Sequence, residues 1–329
     1  MRNVHSWLRL TLRVFVFSSA VLSMVTLLVT VVNSQDQKIV PVQFPGEAIS
    51  LETVWGKKGS GVGEFNSPHH LAVDAEGNLY VADGGNHRIQ KLDPRGGVLA
   101  WWGGYGSAPG QFKQPWGVAV DSQGNIYVTD AFNHRVQKFS SDGAFLLGWG
   151  KFGNADGQFY FPYDVAIDQD DNVYVADGYN HRVQKFDSQG NFLSSWGRRG
   201  SITGQFSYPC AIASDSQGTI YVSDGENHRI QKFDTNGAFS IAWGARGILQ
   251  GQFERPCGIS VVEKGLVYVV DSVNHRVQKF SDDGGFLAFW GQYGHKSGEF
   301  SHPSGIAISQ DGRIYVADSE NHRIQVFVE

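Results

Sequence analysis

The sequence predicts an all-β protein, a closed ring of six four-stranded antiparallel units preceded by one N-terminal apolar helix. Three observations predict it. The tripeptide Asn-His-Arg begins at Asn86, Asn133, Asn180, Asn227, Asn274 and Asn321, always 47 residues apart, and a period of this size marks a repeat architecture. Trp-Gly pairs at Trp55, Trp102, Trp149, Trp196, Trp243 and Trp290 keep the same step, as do Pro68, Pro115, Pro162, Pro209, Pro256 and Pro303. Within each period the local signals are all β. Four short strands repeated six times give one blade each of a six-bladed β-propeller.

The first segment stands apart from the ring. Arg2, Arg9 and Arg13 precede Val14 to Val32, nineteen residues without charge, Gly or Pro. As a helix this run spans about 28 Å at ~1.5 Å per residue, close to a hydrocarbon core of about 30 Å. Residues 1–34 therefore read as a signal anchor, the run being longer than an ordinary signal-peptide core of about 7–15 residues, or as a cleaved signal peptide ending at Ser34. The basic flank lies before the run, which keeps the N-terminus cytoplasmic. Both readings place the propeller outside the cytoplasm, in the secretory pathway, tethered to the membrane or secreted. Residues 35–48 form a linker held extended by Pro41 and Pro45.

The propeller occupies 49–329. Ile49 to Trp55 matches the fourth strand of a blade yet precedes the first complete blade, and the sequence stops at Glu329 in a third strand. The N-terminal strand is thus expected to complete blade six and leave no open edge. The third unit shows the pattern: Pro162–Asp168, Asn172–Asp177, Arg182–Asp187 and Asn191–Gly197 are β-branched and aromatic runs separated by Asp, Asn and Gly turns. Small residues such as Gly117, Ala119, Ala166, Ala211 and Ala213 suit an innermost strand where blades converge, and the Trp of each Trp-Gly pair suits the rim.

The motif Asp-x-x-Asn-His-Arg-[Ile/Val]-Gln-[Lys/Val]-[Phe/Leu], preceded by a strand ending in Tyr-Val, resembles the NHL repeat and recurs over roughly residues 49–329. The resemblance implies the propeller fold. It implies less about function, because one scaffold hosts unrelated activities.

Residues present in every blade are read first as structural. The Asp residues from Asp83 to Asp318 are expected to accept turn N–H bonds and to meet the Arg five positions on. The histidines from His87 to His322 lie one per blade and cannot converge on one ion. The Phe residues from Phe65 to Phe300 plug the space between blades. The Gly-rich connections lead from strand to strand with no helix N-terminus to hold a phosphate. Asp168 to Asn172 looks like half of a calcium loop but sits where other blades have plain polar turns.

Function is sought where the blades differ. Connections before the first strand and after the second emerge on one face, and each Pro is followed there by a different pair: His69-His70, Trp116-Gly117, Tyr163-Asp164, Cys210-Ala211, Cys257-Gly258 and Ser304-Gly305. His69, His70, Cys210, Cys257 and Ser304 are expected at the mouth of the axial tunnel. Around blades two and three the same face carries Tyr105, Trp116, Phe132, Phe152, Tyr160, Phe161, Tyr163 and Tyr179, with Tyr208 at the border and Asp164 in their midst, placed to orient a cationic or amide group. The equivalent positions elsewhere read as mainly small or charged, including Lys58, Arg199, Glu226, Arg246 and Glu320. Exposed aromatics concentrate in binding hot spots.

The reading is therefore a non-enzymatic, monomeric protein- or peptide-binding module without a cofactor. The alternative is a metal-dependent lyase or hydrolase. Some propellers of this kind resemble peptidyl-amidoglycolate lyase, which implies zinc-binding histidines from several blades near the axis. Here only blade one supplies them, and a His with two thiols is the remaining zinc set. Cys210 and Cys257 are expected to be free, half-buried thiols, their strands lying beyond the ~7 Å limit for a bridge. RNA binding, another use of NHL propellers, needs a basic face. After Ser34 the chain has 24 Lys and Arg against 32 Asp and Glu, a net charge of −8, so nucleic acid is not the expected partner.

Overall fold

The structure, a computed structural model, describes residues 49–262 and 265–329. The apolar run and the linker lie outside the described residues. Among those described, no helix is long and apolar enough to cross a membrane.

Six four-stranded antiparallel sheets follow one another in chain order. In blade one the strands, from the axis outward, are Pro68–Val73, Leu79–Asp83, Arg88–Leu92 and Val98–Gly103. The sixth sheet closes the ring: Ser50–Trp55 pairs antiparallel with Arg323–Val328, with Val54 opposite Gln325 and Trp55 opposite Ile324. Both ends of the domain thus meet in one blade.

The core lies between blades. The second strand is buried along its whole length in five blades and from Val267 onward in blade five, and Phe65, Phe112, Phe159, Phe206, Phe253 and Phe300 are fully buried. The Gly of each Trp-Gly pair makes room for that ring. Gly56 has φ +82°, and a Cβ there would lie 2.3 Å from Phe65 Cδ2, a clash that any other residue would bring together with a strained φ.

The repeated polar residues brace each blade to the loop before it. Asp83 accepts hydrogen bonds from the Asn66 amide at 2.7 Å, Asn86 Nδ2 at 2.9 Å and Arg88 Nε at 2.8 Å. The guanidinium also donates to the carbonyls of Ser60, Gly61 and Glu64. Burial pushes the carboxyls of Asp130, Asp177, Asp224 and Asp271 above the usual range, against the pull of their Asn, Arg and backbone donors.

The repeated His is a latch between neighbours. Each adopts the left-handed conformation, His87 at φ 56° for example. Its Nδ1 accepts the backbone N–H of the residue that precedes the next blade's Pro: Gln114, Phe161, Tyr208, Arg255, His302 and Ser67 in turn, at 3.0–3.3 Å. Those six residues also have positive φ. The calcium-like turn is a polar turn: Asp168 accepts from the amides of Asp170 and Asn172, and Asp171 bridges to Ser122 of blade two.

Candidate binding site

The innermost strands nearly touch. A Cβ at Gly258 would lie 2.4 Å from the Ser304 carbonyl oxygen, and one at Gly117 would lie 2.6 Å from Asp164 Oδ1. Over this constriction, on the face carrying the variable connections, opens a funnel of about 240 Å³. His69, His70, Trp116, Tyr163, Tyr208 and Cys210 line it from blades one to four, and Glu226, Arg255, Cys257, Val273, His302 and Ser304 complete the ring.

One wall is a stack of rings. His69 packs edge-on against Trp116 with centroids 4.9 Å apart, and Trp116 stacks on Tyr163 at 4.2 Å and 19° between planes. Thr129 of blade two sets this stack: its hydroxyl accepts the Gly117 amide at 2.7 Å and donates to the Tyr163 carbonyl at 3.1 Å. Burial holds the Tyr163 hydroxyl protonated, with Tyr179 adding to the shift. Burial first, then neighbouring His70, lowers His69 to about 3, so its ring is neutral. Its Nε2 is covered and has no hydrogen-bond partner among the described residues.

The ring contacts continue outward. Tyr179 lies 4.9 Å from Tyr160, 5.0 Å from Phe161 and 4.8 Å from Tyr208. Phe132 packs on Phe161 at 4.8 Å and Phe152 on Tyr160 at 5.2 Å. The structure thus joins Trp116, Phe132, Phe152, Tyr160, Phe161, Tyr163 and Tyr179 into one connected surface that runs into the funnel. Tyr105 is separate, its ring on His87 at 5.1 Å.

Several expectations need correction. Asp164 is not in the middle of the exposed aromatics. It is buried beside His70, 3.2 Å from Nδ1, and accepts the Ile212 amide at 3.0 Å. The aromatics are not confined to blades two and three: Tyr293, in the connection from blade five to blade six and in the repeat position of Tyr105 and Phe152, is 62% exposed. Cys210 and Cys257 are joined in a disulfide. Convergence of the innermost strands brings their Cα atoms to 5.2 Å, inside the bridging range. Ser304 lines the funnel and is also a seam residue, donating to the His69 carbonyl at 2.9 Å and sharing a hydrogen bond with Ser319.

These findings bear on zinc. With the two thiols bonded to each other, blade one offers only two adjacent histidines. Among the described residues no three His, Cys, Asp or Glu side chains are grouped to hold a metal ion. The residues present do not fit the zinc set expected above.

Arg255 and His302 are funnel residues that the sequence reading passed over. Their signal was the position before each Pro, filled in turn by Ser67, Gln114, Phe161, Tyr208, Arg255 and His302. Arg255 pairs with Glu226 at 2.9 Å, and Arg246 with Glu254 at 3.0 Å. The opposite mouth of the ring, about 370 Å³, includes Asp74, Asp121, Asp168 and Asp215. Those carboxylates are committed to their own turns, as Asp121 is to Asn125 and Lys138.

The architecture is that of a six-bladed propeller with a funnel of about 240 Å³ on one face. The chain belongs to the NHL-repeat family, whose repeat matches residues 65–92, 112–139, 159–186, 206–233, 253–280 and 300–327. No curated protein matches the sequence. Among solved structures, a protein of unknown function from Bacteroides thetaiotaomicron superimposes with a TM-score of 0.69 at 16% identity, covering 85% of this chain and 76% of that one. A streptogramin B lyase gives 0.59 at 15% identity, covering 85% and 97%. A gluconolactonase from Xanthomonas campestris gives 0.59 at 16%, covering 80% and 86%. At these identities the likeness is one of fold.

Proposed function

We propose that this propeller is a protein- or peptide-binding module, exported and tethered by its N-terminal segment, whose partner docks over blades two and three. The observation that carries the reading is the continuity of the aromatic surface with a funnel of about 240 Å³. Pockets that enclose a whole drug-sized ligand measure about 300–1,000 Å³, so this one suits a single side chain of a larger partner. An anchor residue seated in a pocket, ringed by aromatic contacts, is the usual anatomy of a binding hot spot.

The test uses peptides selected from a random library on the intact wild-type chain. Trp116→Ala and Tyr163→Ala should each weaken the selected peptides by about 2 kcal/mol or more with the melting transition kept cooperative. Peptides that bind both variants like wild type, yet lose binding on a change at Glu226 or Arg246, would place the site across the disc. The second reading, a lyase or lactonase, draws on the shared fold of the lyase and lactonase neighbours. A metal analysis of the purified chain separates the two, because one tightly held zinc or calcium per chain favours the enzyme.

A further inference from the structure

At the second position after each Pro the blades place His70, Gly117, Asp164, Ala211, Gly258 and Gly305. Four of the six are Gly or Ala, as the crowded axis requires. The two polar ones come from blades one and three and meet across the Gly of blade two. His70 Nδ1 lies 3.2 Å from Asp164 Oδ1, and both residues are buried. Nothing in the sixfold frame calls for this pair, since five blades manage without a His here and five without an Asp.

The contact sets the chemistry of the floor. A carboxylate facing Nδ1 places the imidazole proton there. Asp164 is fixed in turn by the Ile212 amide on its other oxygen. His70 also lines the funnel, so Nε2, an acceptor in that tautomer, is the atom it can offer to an occupant. The wall above is the Trp116–Tyr163 stack, which favours a flat ring. We propose that the funnel selects a phenolic ring, the side chain of a tyrosine in the partner, with its hydroxyl donating to His70 Nε2. The inference rests on the anchor-pocket reading and adds the identity of the anchor.

Three fragments test it on the intact chain: p-cresol, which donates, 4-methylanisole, which has the oxygen but no donor, and toluene. Occupancy of the funnel is read from the indole N–H signal of Trp116 in nitrogen-15 spectra, assigned with Trp116→Phe. p-Cresol should bind about tenfold tighter than the other two, the worth of one good hydrogen bond. Asp164→Asn, which frees the tautomer, and His70→Gln should each shrink that gap, read as the ratio of p-cresol to toluene affinity within each variant; either variant alone suffices if the other fails to fold. Equal binding of the three fragments overturns the donor preference and leaves the anchor pocket standing. No shift at Trp116 with any fragment overturns both.

Discussion

Blades two and three and blades four and five present the same face on the same frame, and they finish it in opposite ways. In the first pair, positions around the mouth carry Phe132, Tyr160, Phe161 and Tyr179, which contact one another. In the second pair equivalent positions carry Glu226, Glu254 and Arg255, tied up with each other and with Arg246 in exposed ion pairs. The Cys210–Cys257 disulfide adds a covalent staple on that side. The difference teaches that the backbone assigns no function to a position. An exposed ion pair is already satisfied and worth about 0–1 kcal/mol, whereas an exposed ring has its area still to bury.

The largest way to break the comparison is to open the ring. Deleting residues 47–56 removes Trp55, Ile49 and Leu51 from the interblade cores and bares a strand edge, and should cost about 4 kcal/mol or more by burial alone. An unchanged melting curve would mean that the halves hold their shape without closure. Next comes the staple. Cys210→Ser with Cys257→Ser should lower stability by about 2–4 kcal/mol, seen as a lower midpoint in urea. If blades four and five lose nothing, the disulfide does not set their rigidity. Arg255→Ala should change binding of selected peptides by about 0.5 kcal/mol or less, against the ~2 kcal/mol expected at Trp116. Comparable losses at the two would erase the contrast.

The smallest effect per site is on acidification. Burial pushes His134, His181, His275 and His322 below the ordinary value of 6.5. The unfolded chain therefore takes up protons first. The stability from these latches is complete above about pH 6.5 and is lost as pH falls from there through their folded values. The raised carboxyls of Asp130, Asp177, Asp224 and Asp271 work the other way, stabilising the fold as they protonate. Unfolding free energies between pH 7.5 and 5.5 should fall toward acid. His134 and His181 hold Phe161 and Tyr208, so imidazole signals titrating at ordinary values would mean that the aromatic half is not latched as described.

The ring was legible in the sequence because each device recurs at a fixed step, from the plugging Phe to the Asn-His-Arg latch. Closure by the strand before blade one was legible for the same reason. The mouth was legible only in part. Trp116 and Tyr163 could be placed on the right face by period alone. That Asp164 is buried and meets His70 depends on how far strands converge at the axis, which no local pattern encodes. The same convergence joins Cys210 to Cys257. Arg255 and His302 were not legible from the variable pairs after each Pro, because the latch presents the residue before it.

That latch has a consequence for how such a face can change. The histidine's hydrogen bond goes to a backbone N–H, so the six residues it presents share one backbone socket while their side chains differ. Transplanting Phe161 into the socket of Gln114, and each neighbour likewise one place along, would turn these six residues by one sixth of a revolution over an unaltered chassis. A lineage built on this ring could exchange these six residues one socket at a time without touching the hydrogen bond that holds each.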